Sequence, residues 1–140
     1  FPLLPDTTLF RSAVWLVDLR GFGYAKVSRD QQAKWVQVTK RYLRGRANLR
    51  RVFLLVDSRR GLMDTDIETM QMLDTAAVNY QIVLTKVDKI KKTELEAITA
   101  KIEAALKKHP AAHPIPRPTS AEKGYGIPDI RAEIGQLVES

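Results

Sequence analysis

Three short stretches hold residue types that could do chemistry together. In "TKVD", Thr85, Lys86, Val87 and Asp88 follow an apolar run. A carboxylate there can accept two parallel hydrogen bonds from a flat amidine-like edge, which guanine offers and adenine does not. A lysine one turn back can lay its methylenes along a base face while its ammonium reaches backbone oxygens. An ordinary helix-capping aspartate beside a solvated lysine fits these four residues at least as well. In "TSAEKG", Thr119, Ser120 and Ala121 are small enough for a backbone amide, that of Ala121, to come close to a base carbonyl oxygen. A turn with a serine cap is the plainer alternative. In "DLRG", Asp18, Leu19, Arg20 and Gly21 close another apolar run. Asp18 could hold a divalent cation through a water. The amide of Gly21 could donate to a terminal phosphate, because glycine permits close backbone approach. A strand-to-loop turn with conformational glycines explains the same peptide.

The elements that must carry these residues can be read from apolar patterning. Val14 to Val17, Val52 to Val56 and Ile82 to Leu84 are short runs apolar on both faces, as expected of buried parallel strands. Helical stripes lie between them: Trp35, Val38 and Tyr42; then Ile67, Met70, Leu73 and Ala77 after a cap at Asp64 or Thr65. Thr93 to Glu96 has the spacing of a capping box and opens a third helix through Leu95, Ile98, Ile102, Ala105 and Leu106. A last helix is expected from near Pro128, burying Ile130, Ile134, Leu137 and Val138. The proline-rich "HPAAHPIPRPTS" excludes helix and leaves room for a short edge strand around Ile115 to Thr119. Alternating strands and helices predict an α/β fold with a mainly parallel sheet and right-handed crossovers. Ligands of such sheets bind beyond the carboxyl ends of the strands, where all three motifs fall.

With 140 residues, one domain with a real core is expected. No window reaches the roughly 18–20 apolar residues of a membrane helix, so no membrane partner is expected. The absence of cysteine excludes disulfides and thiolate metal sites and points to a reducing, cytoplasmic setting. A net charge of +7 favours a polyanionic partner. "KRYLRGRANLRR" (residues 40–51) concentrates that charge, either as a solvated face at a helix end or as a phosphate-contacting RNA surface with Tyr42 stacking. His109 and His113 lack further metal ligands and read as loop residues. Residues 1–12, "FPLLPDTTLFRS", show no clear period. "TTLFRS" matches a sequencing adapter translated in frame, so the expectation is a non-native or disordered leader before a domain over residues 13–140.

In this order and with these gaps, the three peptides form the arrangement of the third, fourth and fifth nucleotide motifs of a GTP-binding domain. "LVDLRGFGYAKVSRDQQAKW", "YLRGRANLRRVFLLVDSRRGLMDTD", "QIVLTKVDK" and "LKKHPAAHP" together closely resemble the EngB-type ribosome-assembly GTPases, in a form like that of alphaproteobacteria. The resemblance covers nearly all of the chain from about Ala13. It implies a three-layer P-loop-GTPase-like domain that binds GTP or GDP with Mg²⁺. It also implies a role in assembly of the large ribosomal subunit precursor, through rRNA, and in normal cell division. By resemblance Asp18, Leu19, Arg20 and Gly21 face the phosphates, with Asp18 reaching Mg²⁺ through a water. Thr85, Lys86, Val87 and Asp88 read guanine, and Thr119, Ser120 and Ala121 close over the base.

The departures shape what is expected of these 140 residues. No G-x-x-x-x-G-K-[ST] occurs, and the family's switch threonine is missing. The expectation is a fragment lacking the family's first two strands and first helix, unstable alone and weak in GTP binding. Arg20 stands where "DLPG" usually has proline, and Phe22 stands where many GTPases position water with glutamine. Phe22 cannot orient water, so hydrolysis by the intact protein is expected to be slow without a partner's help. The rival reading is a nucleotide-independent RNA- or protein-binding α/β module that uses its basic face.

Overall fold

The computed structural model describes residues 3–5, 15–17, 37 and 49–139. Its framework is a three-stranded parallel sheet. β3 (Val52–Asp57) pairs with β4 (Tyr80–Thr85), and β4 pairs with β5 (Arg117–Pro118). Between β3 and β4 runs α1 (Asp64–Thr75), and between β4 and β5 runs α2 (Lys92–Leu106). α3 (Ile127–Glu139) closes the chain, with Pro128 in its first turn as expected. The α/β class with a parallel sheet is therefore as the alternation of patterns predicts.

The sheet sorts its residues by the two-residue period of a strand. Val56, Tyr80, Ile82 and Leu84 are buried in one cluster with Met70 and Leu73 of α1 and Ile102 and Leu106 of α2. The other face carries Gln81 and Val83, and there Gln81 meets Glu133 of α3. Helices thus reach both faces of β4, and its residues from Tyr80 to Leu84 are all buried. β3 differs: Leu55 is 64% exposed on it, so this run is not covered on both sides as its composition suggests.

The first apolar run needs a larger correction. β2 (Trp15–Val17) lies in a separate two-stranded sheet, antiparallel to β1 (Leu3–Pro5), with Leu4 opposite Leu16. A three-residue apolar run carries no information about direction, so its partner decides. Leu3–Pro5, set aside in the sequence reading, is that partner.

Helix starts also depart from the patterns. The N-cap of α1 is Met63, whose amide donates to the Asp66 carboxylate at 2.9 Å. Neither Asp64 nor Thr65 caps it. At its other end Ala77 takes a left-handed backbone (φ 55°), outside the helix stripe assigned to it. α2 starts after Lys91 with no side-chain cap, so the Thr93–Glu96 box does not form. Thr93 falls inside the helix, two residues too late to cap it. On α3 the buried residue is Glu133, while Val138 is exposed. The helix proposed around Trp35, Val38 and Tyr42 lies outside the described residues, save that Gln37 is helical.

Candidate functional site

The parallel register brings three strand ends together. Asp57, the last residue of β3, stands opposite Thr85, the last residue of β4, and Leu84 stands opposite Pro118 of β5. The polar residues that follow each strand therefore share one edge of the sheet.

The turn after β4 is built by its own backbone. Lys86 adopts a left-handed conformation (φ 58°, ψ 36°) and a single 3₁₀ turn, Val87–Lys89, follows it. A non-glycine residue pays about 1 kcal/mol or more for that conformation. Hydrogen bonds to the neighbouring loop hold it in place. Val87 N donates to Thr119 O at 3.1 Å, Thr119 N to Leu84 O at 2.7 Å, and the Thr119 hydroxyl to the same oxygen at 2.8 Å. Thr85 Oγ1 reaches Val56 O at 3.4 Å. Buried Val87 and Thr119 are thus fasteners between the two loops, and Lys86 and Asp88 are the groups they present.

The second loop turns on glycine. Gly124 and Gly126 both have positive φ, 72° and 74°. A Cβ at Gly126 would meet Pro118 O at 2.0 Å, so only glycine lets this backbone pass so close to β5. The turn folds Ser120 against Tyr125, with Ser120 N donating to Tyr125 O at 2.9 Å. Ser120 is buried, and its hydroxyl donates to Asp88 Oδ1 at 2.8 Å while accepting from Lys123 N at 3.1 Å. Ala121 is exposed beside it.

Asp88 is consequently a fixed, ionised acceptor. The Ser120 hydroxyl holds its carboxyl below the usual carboxylate range, with Lys89 assisting. Lys89 Nζ lies 3.6 Å from Asp88 Oδ2 and 3.3 Å from Glu122 Oε2, bridging the two loops. Beyond the turn, Asp57 accepts the amide and side chain of Arg59 and lies 3.7 Å from Lys86 Nζ. Arg59 holds the Asp57 carboxyl far below the carboxylate range, against the opposing effect of burial.

Of the residues singled out from sequence, Thr85, Lys86, Val87, Asp88, Thr119, Ser120 and Ala121 come together at this edge. Asp18, Leu19, Arg20 and Gly21 lie outside the described residues. Sequence reading missed Arg59, Lys89 and Glu122 as members of the cluster, and it set Asp57 at a strand end without giving it a role. Asp57 carried a signal, a carboxylate closing an apolar run like Asp88, but its partners come from other strand ends. Among the described residues no group of three or more His, Cys, Asp or Glu could hold a metal ion. His109 instead bonds Asp74 at 2.6 Å, and His113 Nδ1 accepts the amide of Ile115. Of the basic segment, residues 49–51 are described; Arg50 is exposed, whereas Arg51 is drawn in to Gln81 and Glu133.

Known proteins share this plan. Residues 36–140 match the family described as the elongation factor Tu GTP binding domain. A probable GTP-binding protein EngB from Hyphomonas neptunium is 65% identical over 125 residues, covering 89% of this chain and 57% of that protein. The corresponding protein of Caulobacter vibrioides is 50% identical over 129 residues, covering 92% of this chain and 56% of its own length. The chain therefore spans somewhat over half the length of these curated relatives. A solved structure of a probable GTP-binding protein engB superposes with a TM-score of 0.68 at 20% identity, over 89% of this chain and 74% of that one. The family match covers most of the chain, and the chain therefore belongs to the family of the elongation factor Tu GTP-binding domain, with EngB proteins among its similar relatives.

Proposed function

We propose that this chain, over residues 13–140, is the base-reading part of a domain that binds GTP and GDP. The observation that carries the reading is Asp88, ionised and held by Ser120 at 2.8 Å, on a turn stitched to the neighbouring loop. Each carboxylate oxygen keeps a lone pair for the paired N–H edge of guanine, and exposed Lys86 flanks it. In this reading exposed Ala121 offers its amide to the base carbonyl. Mg²⁺ accompanies the phosphates in this reading, and Asp18 is its assigned contact. The base-side contacts do not involve the ion.

The polyanionic partner is a large-subunit ribosomal precursor in the cytoplasm, with normal cell division depending on that assembly. Support comes from the resemblance, from the net charge of +7 and from exposed Lys91, Lys92, Lys101, Lys107 and Lys108 along and beside α2. Among the described residues no helix is long and apolar enough to cross a membrane.

The test is an NMR titration of the 140-residue chain with GDP, GMP and ATP. Guanine nucleotides are expected to shift the amides of Lys86, Asp88, Ser120 and Ala121, and ATP is expected to leave them in place. Binding is expected to be weak, so a tight GTP complex would refute that part. Equal shifts with ATP, or none at these residues, would leave the nucleotide-independent RNA- or protein-binding module as the better reading.

A further inference from the structure

We propose that Asp57, braced by Arg59, is a positioning residue that holds Lys86 in line with the base-reading edge before any nucleotide arrives. The inference rests on the reading of Lys86 and Asp88 given above and adds a residue that sequence did not assign.

Three observations carry it. First, the register sets Asp57 beside Thr85, so its carboxylate lies next to the residue that precedes Lys86. Second, Asp57 is immobilised. Its Oδ1 accepts Arg59 N at 2.9 Å and Arg59 Nε at 3.0 Å, and its Oδ2 accepts Arg59 Nη2 at 2.7 Å. Third, the same Oδ2 lies 3.7 Å from Lys86 Nζ, across the gap between the two strand ends. The left-handed backbone of Lys86 accompanies that contact.

The physical gain is preorganisation. A free lysine loses about 2 kcal/mol of rotamer entropy when its stem is fixed. A carboxylate that is itself held by two-residue-local hydrogen bonds can fix the ammonium end beforehand. Part of that ordering is then complete in the free protein, which favours binding without a new contact to the ligand. Arg59 matters because an unbraced aspartate would move with the lysine and position nothing. The plainer account is a surface ion pair that merely joins β3 to the following turn. Lys86 is more than half exposed, which keeps the expected effect small.

The decisive experiment is a double-mutant cycle with Asp57→Asn and Lys86→Ala, reading GDP affinity of the 140-residue chain by NMR titration. Asparagine keeps the shape and an acceptor for the Arg59 amide but removes the charge facing Lys86. D57N is expected to weaken GDP about two- to fivefold when Lys86 is present. It should change nothing in the K86A background. Equal weakening in both backgrounds overturns the proposal, because Asp57 then acts through β3 and not through the lysine. A second readout needs no nucleotide: carbon relaxation of the Lys86 methylenes, with the amides of α2 and α3 reporting an intact fold. Faster side-chain motion in D57N supports the tether, and unchanged motion overturns it. If no chain binds GDP, the nucleotide reading falls and the role in binding falls with it, while the relaxation data still decide whether the tether exists.

Discussion

Glu133 shows how much one buried carboxylate can organise. Its Oε1 accepts Arg117 Nε at 2.9 Å and Nη2 at 2.7 Å, and its Oε2 accepts Arg51 Nη1 at 3.1 Å. Gln81 Nε2 adds a contact at 3.3 Å and donates to Ile115 O at 2.9 Å. Burial pushes this carboxyl up, but Arg117 and Gln81 outweigh it and leave it below its usual range. A depressed folded value makes its contribution complete above the unfolded value, about 4.3, and lost as pH falls through the folded one. Stability should therefore fall as pH drops below the unfolded value, and Glu133→Gln should flatten that slope. The same substitution should cost about 1–3 kcal/mol at neutral pH, since two guanidinium groups lose a charged partner. Urea unfolding at several pH values checks both outcomes. Nothing in "AEIG" distinguishes this glutamate from an exposed helix residue, because its three partners come from β4, β5 and the start of β3. Asp88 and Ser120 were legible for the opposite reason: each lies within three residues of its strand's end, so local order alone places it.

At the scale of elements, the loop from Thr119 to Gly126 separates two glycines that look equivalent in sequence. Both require positive φ, but a Cβ at Gly124 meets nothing within 4 Å, whereas at Gly126 it meets the Pro118 carbonyl. Gly124→Ala is expected to cost about 1 kcal/mol, from backbone conformation alone. Gly126→Ala should cost about 2–4 kcal/mol and displace Ser120 from Asp88. Thermal unfolding and the Ser120 amide shift measure the difference; equal losses would mean that β5 gives way without cost. Helix boundaries were legible only roughly. The starts of α1 and α2 shifted because capping depends on where the preceding loop delivers the chain, and Met63 and Lys91 were delivered there. β2 shifted more, since a short apolar run accepts whichever strand lies beside it.

At the scale of the molecule, the core formed by the described residues lies mainly under one face of the three-stranded sheet, and on the other face Leu55 of β3 is exposed. Ile82, fully buried between α1 and α2, should cost about 2–5 kcal/mol on truncation to alanine. Leu55, 64% exposed, should cost less than about 0.5 kcal/mol on replacement by serine. Denaturant midpoints of the two variants test this placement, and a large loss at Leu55 would mean that something covers that face. Sequence by itself determined the order of strands and helices from β3 onward, the parallel pairing of those strands and the peptides that supply the base-side cluster, because these follow from apolar period and from residues near strand ends. Only tertiary structure decided that β2 pairs with β1, that Arg51 and Glu133 meet across β4, and that Asp57 faces Lys86. Those contacts join residues 10 to 82 positions apart, and no local pattern encodes which distant partner a side chain will meet.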